Sequence, residues 1–580
     1  MCGILATNSH SEKFTQALGA LEHRGPDFQT VQSLERAQIG FTRLAIRGLG
    51  PEGQQPFQCP CGRWTVIYNG EIYNWKDLSS DFDLKEESTC DGRVIAPLLC
   101  KLGSHGFSRL KGMFAIIAYD NVNQKFFVVR DQLGLKPLYI THTEKYWAIS
   151  SEIKPLLILG SDSFSVDALN HYKTFGFLSP NQSGFMNITL VEPGKVLVLN
   201  SEELIGAEYL QKTFVATKAR GTKDLKKELS RIVIENSETD VRTAIAFSSG
   251  FDSNLIANIL MKSEQNFELF HLTGITEHDE THHVVNLARK MEIPLTIETI
   301  SSEEISLEDY FARMDRLTFD GLNSYLFSKK MSENGIKTFL SGHGGDEFLR
   351  GYKHSQFGHG IIQEIIGRSP TSLRSKVLKN TRYEGRAHLY TNIEKTVGGR
   401  FPRYYGQSRS VGLSPTLESY SQIRIPHACL SLMDTLRLSQ QDAGQIFHYL
   451  SGLSLLDLDQ FSMSFSIEGR PPLVDLEILA LFQNFNIRTK RDLANAIDDK
   501  TLQQILNRSK KGFSVNISSL LESNLDYTLE KIHILQDIPR FNISNAQINA
   551  IVSNRRSLRT GSSNLLWQLL TLASWIDKSA

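Results

Sequence analysis

The sequence predicts a chain of two unlike halves: an α+β region of packed antiparallel sheets up to about Leu199, then an α/β region built on a parallel sheet. Three observations carry this expectation. At 580 residues the chain is too long for a single core and requires at least two domains. Before Leu199 short β-type runs follow one another with turns between them. After a polar, lysine-rich stretch, short apolar strands alternate with helical segments, the pattern of strands joined by crossover helices.

In the first half, RWTVIYNGEIYN, GMFAIIAYD, KFFVVRDQLGLKPLYI, KYWAISSE and GKVLVLN are rich in β-branched and aromatic residues and read as strands. This first domain takes residues 2–200. The segment SEELIGAEYLQKTFVATKARGTKDL, residues 201–225, is read as the connection, and residues 226–580 as the second domain. There AIAFS, FELFHL, IPLTIETI and IKTFLSG read as strands, and SNLIANILMKS, THHVVNLARKM and GLNSYLFSKKMSEN as the helices between them. From roughly Pro370 onward the pattern is mainly helical.

Lys+Arg and Asp+Glu both number 63, so no net field recommends nucleic acid or a membrane surface as partner. The six cysteines are sparse and the start lacks a basic-then-apolar leader, so a reducing cytoplasm is the expected location. No apolar run reaches membrane-spanning length. Cys59-Pro60-Cys61 has no second Cys/His pair at zinc spacing and is read as a hairpin turn.

The opening Met1-Cys2-Gly3-Ile4-Leu5 places a thiol second in the chain. Removal of Met1 would leave Cys2 with thiol and α-amine in one residue, a nucleophile beside its own base. Read alone, Cys2 is equally an inert cysteine of a first strand. In the second half, the strand Ala244 to Phe247 runs into Ser248-Ser249-Gly250-Phe251-Asp252-Ser253 and a helix. Small residues there let backbone N–H groups and hydroxyls face an anion at the helix N-terminus, with Asp252 as a magnesium ligand. The second turn, Leu340-Ser341-Gly342-His343-Gly344-Gly345-Asp346-Glu347, ends another strand in the same manner. In a parallel sheet both turns lie at the C-terminal edge, where ligands bind. Asp252 and Asp346 converging there suit a magnesium triphosphate.

Taken together, these motifs resemble the glutamine-dependent asparagine synthetase family over nearly the whole length. The match runs through MCGI, His23-Arg24-Gly25-Pro26-Asp27, Arg43-Leu44, Tyr68-Asn69-Gly70-Glu71-Ile72-Tyr73-Asn74, Asp91, Arg130-Asp131 and Gly134 to Tyr139. It continues through SSGFDS, SGHGGDE, Asp459 with Ser462-Met463, Glu468-Gly469-Arg470-Pro471-Pro472-Leu473-Val474-Asp475 and Lys510-Lys511-Gly512-Phe513.

The resemblance implies an α+β N-terminal-nucleophile four-layer sandwich, followed by an α/β parallel-sheet ATP-pyrophosphatase domain with a helical C-terminal part. It implies that Cys2 attacks the glutamine side-chain amide and releases ammonia. Asn69 and the Gly70 N–H would supply the oxyanion donors, Arg43 the cation for the glutamine carboxylate, and Glu71 and Asp91 the acids for its ammonium. In the second domain it implies a carboxylate activated by ATP and Mg2+ as an acyl-adenylate, with pyrophosphate released and AMP displaced by ammonia. Ser248, Gly250, Asp252 and Ser253 would cradle the pyrophosphate, and Asp252 and Asp346 would hold magnesium. Phe247, Thr273, Ser341 and Gly342 match positions that contact the nucleoside, and Lys510 one that neutralises phosphate charge. A homodimer is compatible with this reading.

The sequence departs from the family pattern at Ser249, where a glycine is usual, at Arg93 and Phe41, and at His343. The last stands in place of a glutamate near the expected meeting point of ammonia and the activated carboxyl. A histidine there can accept a proton from ammonia but does not reproduce the charge. The acceptor is therefore aspartate or another carboxylate, such as a sugar uronate or a natural-product acid. A different amidotransferase and a non-catalytic regulatory relative are the competing readings, and the adenylating turns and intact site residues argue against both.

Overall fold

The computed structural model describes residues 2–84, 89–144, 146–210, 222–263, 265–274, 279–351, 438, 442, 444–508, 515–536 and 562–579. Twelve strands come from the first half: β1 Cys2–Thr7, β2 Phe28–Leu34, β3 Ala37–Arg43, β4 Phe57–Gln58, β5 Trp64–Ile72 and β6 Gly112–Asp120, then β7 Lys125–Arg130, β8 Tyr139–His142, β9 Trp147–Ser150, β10 Ile188–Leu190, β11 Lys195–Leu199 and β12 Leu204–Tyr209. They form two six-stranded sheets, in the orders β10-β8-β9-β1-β3-β2 and β12-β11-β7-β6-β5-β4. The sheets pack face to face, with Ile4, Ala6 and Phe41 of one meeting Ile67, Ala115 and Ile117 of the other. On β1 the alternate residue Leu5 points outward, onto Phe14 and Leu18 of the helix Phe14–Gly19. The opposite outer face, with Val66 and Tyr68 of β5, is covered by the helix Ile95–Leu102. The result is the expected helix-sheet-sheet-helix sandwich.

Two sequence readings change in detail. The run 125–140 is not one strand: β7 belongs to the second sheet and β8 to the first. The crossing is held by Asp131, whose carboxylate accepts the N–H groups of Leu133, Leu135 and Lys136 around Gly134, which sits at φ +67°. Also, the stretch read as the connection is structured at both ends, because β12 adds to the edge of a sheet and the helix Thr222–Glu235 begins within it.

Among the described residues the second half holds five parallel strands, β13 Thr243–Ala246, β14 Glu268–Gly274, β15 Leu295–Ile300, β16 Thr338–Leu340 and β17 Glu468–Arg470, in the order β15-β14-β13-β16-β17. The chain builds outward from β13 through β14 to β15, then returns to the other side of β13 with β16. The switch point therefore lies between β13 and β16, where a crevice opens beyond the strand ends. Of the residues beyond Pro370, those described are mainly helical, including Leu455–Met463, Leu476–Asn484 and Ser562–Ser579. Trp575 of the last helix packs on Phe164 and Phe185 of the first half. Among the described residues no helix is long and apolar enough to cross a membrane.

Buried ion pairs join the halves. Arg24 binds Glu152 at 2.9 Å and Asp459 at 2.8 Å, with all three side chains buried. Such groups cost several kcal/mol each to desolvate, so they persist only when each charge is met by a partner.

Candidate functional site

Cys2 opens β1 directly across from Arg43 on β3 and is buried. Its N–H donates to Asn69 Oδ1 at 3.0 Å, which fixes the orientation of the Asn69 amide. Asn69 Nδ2 is buried and has no hydrogen-bond partner among the described residues. A buried amide donor without an acceptor is costly, and this one belongs to the side chain that holds the Cys2 N–H, which leaves it available to an incoming oxyanion. Gly70 follows at φ +148°, and a Cβ there would collide with the Met113 carbonyl. Burial raises the Cys2 thiol, against the pull of the positive chain N-terminus, a Leu44 backbone hydrogen bond and Arg43.

The groups expected to hold glutamine lie close by. Arg43 donates to the carbonyls of Gly48 and Gly50, which fixes the loop after β3. Asp91 accepts from the Ile72 N–H at 2.7 Å and from the Tyr68 hydroxyl at 2.9 Å. Burial and the charge of Glu71 push the Asp91 carboxyl up to about 7. Glu71 is itself held by Arg47 at 2.7 Å and, from the other half of the chain, by Arg470 at 3.0 Å. Neither arginine was singled out in the sequence as a site residue, since nothing local to Arg470 marks Glu71, 399 positions away, as its partner.

At the edge of the parallel sheet, the turns after β13 and β16 lie side by side. Ser248 Oγ accepts from the Gly250 N–H at 3.1 Å and lies 3.2 Å from Ser253 Oγ. The helix Phe251–Leu260 begins without a side-chain cap, so its first amides remain available to an anion. Ser249, the departure from glycine, turns its hydroxyl onto Glu280 at 2.7 Å. Asp252 and Asp346 converge on one point, the Lys490 ammonium, at 2.5 Å each. Both carboxylates press against glycine: a Cβ at Gly345 would strike Asp252, and one at Gly351 would strike Asp346. Two hard oxygen donors bracketing one cationic centre, beside uncapped helix amides, fit a magnesium ion shared with phosphates. Lys490 was missed; burial would lower it, but the two aspartates hold it above its ordinary value and charged.

A cavity of about 350 Å3 opens beside these turns, and its walls include Phe247, Ser248, Ser341, Gly342, His343 and Asp346. Thr273 stands one residue before the end of β14, with its hydroxyl 3.4 Å from Asp279. His343 Nδ1 lies 2.9 Å from Ser341 Oγ, and desolvation by the surrounding protein lowers its imidazole to about 4, against the pull of Asp320 and Asp346. It is therefore neutral at physiological pH and a weak base. Asp320 and Asp457 complete the polar wall, and burial, then the Asp320 charge, push Asp457 well above the carboxylate range. Lys510 lies outside the described residues.

Comparison with known proteins agrees with this geometry. A model of a glutamine amidotransferase domain matches residues 1–210, and a model of asparagine synthase matches residues 224–577. The chain is 23% identical, over an alignment 629 positions long, to the glutamine-hydrolyzing asparagine synthetase 1 of Bacillus subtilis, covering 99% of this chain and 96% of that protein. It is 28% identical over 387 residues to the glutamine-hydrolyzing asparagine synthetase of Homo sapiens, covering 61% of this chain and 67% of that one. With more than half of its length matched by the synthase model and both strand-end turns in place, the chain belongs to the asparagine synthase family and carries a glutamine amidotransferase domain ahead of its synthase domain.

Proposed function

We propose that the protein hydrolyses glutamine at Cys2 and uses ATP to activate a carboxylate that the released ammonia converts to an amide. The observation that carries this is the convergence of Asp252 and Asp346, from two adjacent strand ends, on a single cationic point at 2.5 Å. At the first site the Cys2 thiol attacks the glutamine amide, the Asn69 Nδ2 donor and the Gly70 N–H receive the oxyanion, and Asp91 and Glu71 hold the ammonium. At the second, Asp252 and Asp346 would hold magnesium, which when bound neutralises triphosphate charge and orients the α-phosphate for attack by the carboxylate. Ser248, Gly250 and Ser253 receive the departing pyrophosphate, Phe247, Thr273, Ser341 and Gly342 the nucleoside, and Lys490 and Lys510 the developing phosphate charge. The test is pyrophosphate and glutamate release with Mg-ATP, glutamine and a panel of carboxylates. Acceptor-dependent pyrophosphate is expected, and its absence with every acceptor tried would sink the proposal.

A second reading concerns the acceptor. His343 is neutral where a glutamate is usual, and Asp320 and Asp457 line the same cavity. A wall of carboxyl, hydroxyl and imidazole groups favours a hydroxyl-rich monocarboxylate, such as a uronate, over the two carboxylates of aspartate. Competition at equal concentration, with AMP as readout, decides: strong preference for aspartate returns the protein to ordinary asparagine synthesis.

A further inference from the structure

We propose that Cys59, Cys61 and Cys100 form a binding site for a thiophilic divalent cation of the zinc class. The Cys-Pro-Cys segment forms the tight β4–β5 hairpin, with the Gly62 N–H donating to the Cys59 carbonyl at 2.9 Å and Gly62 in the left-handed region at φ +70°. That much is the expected hairpin. The sequence pattern does not reveal the third thiol, Cys100, which the helix Ile95–Leu102 brings from 39 positions away to 2.6 Å from Cys61 Sγ. Cys59 Sγ lies 3.2 Å from Cys61 Sγ, and all three sulfurs fall within 4.8 Å of one another.

Several features separate this cluster from chance contact or a disulfide. Backbone N–H groups are directed at the sulfurs: Trp64 N–H donates to Cys59 Sγ at 3.1 Å, and the Arg63 N–H to Cys61. Such bonds stabilise thiolates rather than thiols. Three converging sulfurs cannot all be paired as one disulfide. The Arg63 guanidinium, bound by Asp120 at 2.8 Å, lies within electrostatic reach of Cys61 and Cys100. Cys59 is buried while Cys61 is exposed, so the site is anchored on one side and open on the other, where water supplies a fourth ligand.

On binding, each thiol surrenders its proton to solvent as its sulfur becomes a ligand, so metal uptake releases protons and weakens as pH falls. The ion would clip the β4–β5 hairpin to the helix Ile95–Leu102. Asn69 lies on β5 and Asp91 just ahead of that helix, so the clip ties together the two segments that carry the glutamine-site groups.

The test is elemental analysis of the full-length protein, purified under reductant from zinc-supplemented cells, with about one zinc per chain expected. Cys61→Ser and Cys100→Ser should each lose the metal. Wild-type protein stripped by a chelator should recover its metal and its melting temperature on addition of Zn2+ alone, a readout that does not depend on the variants folding. Cobalt in place of zinc should give the intense thiolate charge-transfer absorption of a sulfur-rich tetrahedral site. Metal-free protein with all three thiols titratable overturns the proposal. So does metal-free protein whose mass is lower by two hydrogens until reduced, which would mark a Cys61–Cys100 disulfide, and so does metal content that survives both substitutions.

Discussion

Replacing Asn69 by alanine should separate catalysis from stability at the glutamine site. The side chain does two jobs: Oδ1 accepts the Cys2 N–H at 3.0 Å, and Nδ2 is a buried donor with no partner among the described residues. Losing one preorganised oxyanion donor costs about 10²–10³ in kcat, or ~2.7–4 kcal/mol. For folding the two halves of the amide oppose each other. Removing a buried, unmatched donor recovers about 1–3 kcal/mol, while losing the bond to Cys2 costs about 1–3 kcal/mol, depending on the charge of the amine. The expected variant therefore melts close to wild type, releases glutamate at saturating glutamine about 10²–10³ times more slowly, and retains pyrophosphate release with an ammonium salt. Glutamate release within about threefold of wild type would refute the oxyanion assignment. A large drop in melting temperature would refute the argument that Nδ2 is a cost the fold carries.

Cys2→Ala should abolish glutamine-supported amidation and leave ammonium-supported amidation intact; equal activity with glutamine would remove Cys2 as the nucleophile. Asp252→Asn and Asp346→Asn should each remove Mg-dependent pyrophosphate release while glutaminase activity survives in part, and adenylation at the wild-type rate in either would remove that residue as a metal ligand. Because burial and Glu71 hold the Asp91 carboxyl up to about 7, it becomes neutral below that pH, so kcat/KM for glutamine should fall there through KM as the partner of the ammonium is lost. A flat KM between pH 5.5 and 8, roughly one unit and more either side of that value, would show that Asp91 does not hold the ammonium. Arg470→Met leaves buried Glu468 and Glu71 short of a cation and should destabilise the protein by about 3–5 kcal/mol, with partial recovery on adding Glu468→Gln, both read by thermal melts.

How much of this was legible in the sequence depends on whether the signal is local. The strands β5, β6, β13 and β14 and the turns at Ser248 and Ser341 declare themselves through apolar runs and small residues within a few positions. Strand β17 does not. It is three residues long, and two of them, Glu468 and Arg470, are charged, so no periodicity marks it; it enters the sheet because each charge is met by a partner, Arg470 by Glu468 and by Glu71. Lys490 carries only a weak local signal: it is the first residue of a helix whose cap is Thr489, where the helix dipole disfavours a cation. A lysine in that place requires compensation, and Asp252 and Asp346 provide it from elements more than 140 positions away. The same residue-by-residue view shows how the two sites touch. The Arg470 carbonyl accepts the Ser341 N–H at 2.8 Å, in the turn that faces the cavity, while its guanidinium grips Glu71 beside Asn69 and Gly70. A displacement of Arg470 must therefore be felt at both Glu71 and the turn that carries His343, so this strand ties a carboxylate of the first half to a turn of the second through a single residue.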